Sequence, residues 1–105
     1  MMVVNTNSIE GKNIAETLGL VRGNTVRAKW FGKDFLAGLR NIVGGEVTEY
    51  TEMLTEAREE ALEGMIAEAE RLGADAVINV RFQTSQLTQA ASEILAYGTA
   101  VRIEK

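Results

Sequence analysis

Residues 48–73 read TEYTEMLTEAREEALEGMIAEAERLG. Leu54, Ala57, Ala61, Leu62, Met65, Ile66, Ala69 and Leu72 recur at steps of three and four, which draws one broad apolar stripe along a helix of about 25 residues. Thr48 supplies an N-cap hydroxyl, acidic residues fill the first turns, Arg71 lies near the end and Gly73 is placed to stop the helix. Gly64 sits inside the helix, where it costs about 1 kcal/mol relative to alanine unless close packing compensates.

Strand patterns flank this helix. Over residues 76–82, Ala76, Ile78, Val80 and Phe82 alternate with Val77, Asn79 and Arg81, giving one fully apolar face. The polar residues 83–89, QTSQLTQ, read as a hairpin connection. Residues 92–103 form a second strand, with Leu95, Tyr97, Thr99, Val101 and Ile103 on one face and Ile94, Ala96, Gly98 and Ala100 on the other. Upstream, residues 2–6 read as a brief strand. Residues 12–30 read as a long strand bent or bulged at Gly19 and Gly23, with a helix over residues 13–18 as the rival. Phe35, Leu36, Leu39, Ile42 and Val43 are spaced for a short helix over residues 31–43, ended by Gly44-Gly45.

The chain of 105 residues has no proline and shows neither repeat nor linker, so it reads as one α+β domain over residues 1–105. The long helix covers one face of a small antiparallel sheet. The small apolar face of Ile94, Ala96, Gly98 and Ala100 is expected to be left for a neighbouring copy, so a homo-oligomer is predicted.

Composition narrows the chemistry. Apolar residues make up 46% and charged residues 25% of the chain, which are globular values. A net charge of −4 disfavours nucleic-acid binding. No apolar run is long enough for a membrane span, and the first residues lack a signal-peptide pattern, so a cytoplasmic location is expected. Cysteine and histidine are both absent, which removes thiol nucleophiles, Ser/His systems, histidine bases and the standard zinc sites.

The remaining chemistry-bearing patterns each have a structural reading beside the functional one. Glu49, Glu52, Glu56, Glu59 and Glu63 form an acidic stripe on the long helix, a pattern suited to Ca²⁺ or Mg²⁺ but read here as the solvated face that a surface helix needs. Arg22, Arg27, Lys29 and Lys33 surround Trp30 and Phe31, a pattern fit for an anion or nucleotide or for packing between subunits. Gly44-Gly45-Glu46 suits either an anion nest or a plain turn. Gly11-Lys12 lacks the flanking residues of a phosphate-binding loop. Arg58 beside the apolar stripe implies a structural ion pair. Met53 and Met65 read as core fillers, and Tyr50 and Tyr97 as packing residues. No catalytic, cofactor-binding or metal-binding residue is assigned, and no cofactor is expected.

The pieces IEG from Ile9, GLVRGNTV from Gly19, VGGEVTEYTEMLTEAREEAL from Val43, GADAVINVRF from Gly73 and AYGTAVRI from Ala96 together resemble the YbjQ-like family over nearly the whole chain. The resemblance implies a dodecin-like β-α-β-β subunit assembled into a ring, typically a pentamer, in which short extra strands join neighbours. The family also carries a heavy-metal-binding label. Heavy metals prefer thiolate, thioether and imidazole donors, and of these the chain offers only Met1, Met2, Met53 and Met65. The expected function is that of a ring-forming binding or scaffold protein and not an enzyme, with a small ligand or cation at a subunit interface. The alternative is an enzyme with a carboxylate and lysine site at that interface.

Overall fold

The computed structural model describes residues 1–27, 48–88 and 91–105. Its elements are β1 (Met2–Val3), β2 (Ile14–Arg27), α1 (Thr48–Arg71), β3 (Ala76–Thr88) and β4 (Ala91–Ile103). The strands form one mixed sheet in the order β1-β3-β4-β2. β4 pairs antiparallel with both β2 and β3, but the N-terminal β1 lies parallel beside β3, so the sheet is mixed where a purely antiparallel one was expected. One helix packs against a four-stranded mixed sheet, and β2-α1-β3-β4 gives the expected β-α-β-β order. The helix expected over residues 31–43 lies outside the described residues.

α1 begins at the residue read as its cap and stops as its last turn dictates. The Ala74 amide donates to the Ala69 carbonyl at 3.0 Å and the Gly73 amide to the Glu70 carbonyl at 3.0 Å. Together these satisfy carbonyls the helix would otherwise leave unpaired, and the reversal needs the positive φ of 80° that Gly73 adopts. The apolar stripe then lies on the sheet: Ala57, Ala61, Met65 and Ala69 are fully buried against Val21, Val77, Ile94, Ala96 and Ala100. Met65, Val21, Val77 and Val101 are the largest side chains wholly withdrawn from water, each worth about 1.5–3 kcal/mol of burial.

That packing corrects the expected uncovered face. Ile94, Ala96, Gly98 and Ala100 lie under α1 and are buried within the single chain, because the small residues that would have admitted a neighbour admit the helix instead. The outer face carries Leu95, Tyr97, Thr99 and Ile103, all half-buried. Among the described residues its cover lies at the far end, in a second small core of Ile9, Ala76, Ile78 and Val101.

Three local expectations change as well. Residues 83–88 are strand and not loop, since Gln83, Thr84, Ser85 and Gln86 pair in register with Leu95, Ile94, Glu93 and Ser92. The brief first strand is two residues, Met2–Val3. In β3 the alternation breaks at Asn79, whose φ of 54° and register shift mark a bulge. Val77 and Val80 therefore both face the helix, whereas Ala76 and Ile78 face outward. Residues 14–27 form the expected long strand, so the rival helix is overturned, and its register shifts next to Gly19, at φ 117°.

Candidate functional site

The helical carboxylates stay apart. Glu52, Glu56, Glu59 and Glu63 are all exposed on α1, and among the described residues no three potential ligands come together to hold a metal ion. The Glu49 side chain lies outside the described set. So do the side chains of Arg27 and Tyr50, and the whole of Lys29, Trp30, Phe31, Lys33 and Gly44-Gly45-Glu46. Arg58 is exposed and not partly buried; its guanidinium donates to Thr55 Oγ1 at 3.4 Å. Met65 is core as read, and Met53 is half-buried.

The sheet register assembles a different group. Arg81 pairs with Tyr97 and Tyr97 with Arg22, so one row of the outer face runs arginine, tyrosine, arginine across three strands. The next row carries Gln83, Leu95 and Asn24, and Asn24 Nδ2 donates to Glu93 Oε2 at 3.0 Å. Leu20 and Val26, on the same face of β2, are 62% and 47% exposed. Glu68 reaches from α1 to accept the Arg22 backbone amide at 3.2 Å, closing one donor on the edge of β2.

A groove opens at the opposite edge, where the N-terminal segment leaves β3. The Val4 amide donates to the Val77 carbonyl at 3.0 Å, the Val80 amide to the Val4 carbonyl at 3.0 Å and the Asn79 amide to the Thr6 carbonyl at 2.9 Å. Past Val80 this edge has no strand beside it among the described residues. The depression there has a volume of about 620 Å³ and is lined by residues 3–6 together with Leu62, Val80, Arg81 and Phe82. Arg81 Nη1 donates to the Asn5 carbonyl at 2.8 Å and to the Val80 carbonyl at 3.0 Å. Sequence reading gave Arg81 no role. The alternation showed it only as a polar strand residue, and its meeting with residue 5 depends on the parallel β1–β3 pairing.

The comparisons with known proteins fit this fold. A family model described as "Putative heavy-metal-binding" matches residues 1–104. The chain is 62% identical over 103 residues to a UPF0145 protein of Archaeoglobus fulgidus, covering 98% of this chain and 95% of that one. It is 57% identical over 103 residues to a UPF0145 protein of Methanosarcina acetivorans, covering 98% and 97%. Among solved structures, a protein of the DUF74 family from Pediococcus pentosaceus superposes with a TM-score of 0.66 at 17% identity, covering 99% of this chain and 98% of that one, a likeness of fold alone. The chain belongs to the YbjQ-like family, whose relatives carry the UPF0145 name.

Proposed function

We propose that this chain is the subunit of a closed homo-oligomer, a ring-forming binding or scaffold protein and not an enzyme. The observation that carries the reading is Leu20, 62% exposed on the outer sheet face. That face also holds exposed Val26 and half-buried Leu95 and Tyr97, and its cover among the described residues stops at Ile78 and Val101. Apolar surface of this kind marks contact with another chain. A ring, five-membered by family resemblance, brings each outer face against a neighbour and shields the long edge of β2.

Binding is favoured over turnover by the composition, because a chain without cysteine or histidine lacks the usual nucleophile and base pairs. The same absence leaves soft metals without their preferred donors. Light scattering at micromolar concentration tests the assembly. The expected mass is a whole multiple of 11.4 kDa, and a mass of 11.4 kDa itself would end the proposal.

A further inference from the structure

We propose that the groove at the β3 edge binds a small amphiphilic anion, an apolar body carrying one carboxylate, with Arg81 as the residue that receives the charge. The site is built from one subunit's own residues at the β3 edge, and it requires the assembly proposed above to leave that edge open.

The fold explains why a groove exists here. α1 lies mainly over β2, less over β4 and least over β3, so the helix side of β3 is left partly bare past Val80. Phe82, in register with buried Ala96 and thus on the helix side, is 46% exposed as a result. The groove wraps the β3 edge: Val3, Leu62, Val80 and Phe82 line it from the helix side and Val4 from the outer side, around about 620 Å³, within the range of roughly 300–1,000 Å³ usual for ligand clefts.

The outer side of that groove is polar, and among the described residues its charge has no ion-pair partner. The acceptors of Arg81 Nη1, the Asn5 and Val80 carbonyls, are neutral, and among the described residues no carboxylate forms an ion pair with Arg81. Both hydrogens of Nη1 are committed, which fixes the guanidinium plane and leaves Nε and Nη2 to offer the paired donors that match a carboxylate. A cation already held in place loses little freedom when it binds. Arginine selects an anion and the apolar lining selects an apolar body, so a carboxylate with an alkyl or aryl tail satisfies both at once.

The probes are octanoate, 1-octanol and acetate, titrated into the wild-type protein with the valine and leucine methyl groups followed by NMR. Octanoate is expected to shift Val3, Val4, Leu62 and Val80 with a Kd below about 1 mM. Octanol should bind the same methyls about tenfold or more weakly, as loss of a charge-assisted hydrogen bond demands, and acetate should not saturate. Arg81→Gln should lower octanoate affinity to that of octanol, and Arg81→Lys should restore part of the difference. Should Arg81→Gln disturb the fold by losing its two carbonyl bonds, the wild-type ratio of octanoate to octanol decides alone. Equal affinities for the two, or octanoate shifts confined to methyls outside the groove, would overturn the proposal.

Discussion

Gly23 of β2 and Gly64 of α1 meet backbone to backbone. A Cβ on Gly64 would stand 3.3 Å from the Gly23 Cα, whereas a Cβ on Gly23 would fall 2.7 Å from the Gly64 carbonyl carbon and nearer still to Ala61 and Met65 backbone atoms. The contact lets the helix lie directly on the strand and accounts for a glycine in the middle of a helix. It also predicts an asymmetry. Gly64→Ala meets a tight contact but regains about 1 kcal/mol of helix propensity, so its net effect should stay within about 1 kcal/mol. Gly23→Ala has no such gain and must push the helix away, at about 3 kcal/mol or more. Urea unfolding of the two variants measures the difference, and equal losses would refute the packing account.

How far the sequence carried depends on what each residue's partner is. α1 was legible almost to the residue, because its stripe and Gly73 stop are local signals. The two glycines of β2 looked alike in sequence yet differ: Gly19 sits at a register shift with positive φ, and Gly23 touches the helix. Only the tertiary contact separates them. The polar stretch 83–88 hid a strand because its pairing partner, β4, supplies the ladder, and hydrophobicity is silent about an edge strand in contact with water. The groove was illegible for a related reason, since Asn5 and Arg81 meet only through parallel pairing across 76 positions.

Asn79 provides a second test. It is half-buried with φ 54°, the left-handed region that asparagine tolerates better than most residues. Asn79→Gly should therefore be neutral or slightly stabilising. Asn79→Val should lose about 1–2 kcal/mol and destabilise the bulge that turns Val80 toward the helix. Thermal melts followed by circular dichroism rank the three proteins, and a valine variant as stable as wild type would show that the bulge stores no conformational demand.

Burial in the single chain separates folding from assembly. Ala96 is fully buried beneath α1, so Ala96→Asp places an unpaired charge in the core and should unfold the subunit itself. Leu20 is 62% exposed, so Leu20→Asp should leave the far-ultraviolet circular dichroism unchanged while lowering the mass seen by light scattering. A folded but dissociated Ala96→Asp variant would contradict the packing of β4 under the helix. An unaltered mass for Leu20→Asp would remove the outer face from the interface.

The last prediction concerns metal, where the family label and the residues disagree. Tight sites for Zn²⁺, Cd²⁺ or Cu⁺ are built from thiolate and imidazole, and the chain contains no cysteine and no histidine. Its four methionines offer thioethers, but Met65 is sealed in the core and Met53 lies half-buried on α1. Met1 and Met2, both 46% exposed, are adjacent in sequence and supply too few soft donors to complete a site within one subunit. Carboxylates gathered by assembly would form oxygen sites suited to Ca²⁺ or Mg²⁺, which keep water ligands and bind soft metals poorly. Calorimetry on the metal-free protein should accordingly show no stoichiometric uptake of Zn²⁺, Cd²⁺ or Cu⁺ with a Kd at or below about 1 µM, equivalent to about −8 kcal/mol. Uptake at that strength would mean that thioethers or carboxylates from several subunits converge into a site, and Met1→Leu, Met2→Leu and Glu52→Gln variants would then identify which donors form it.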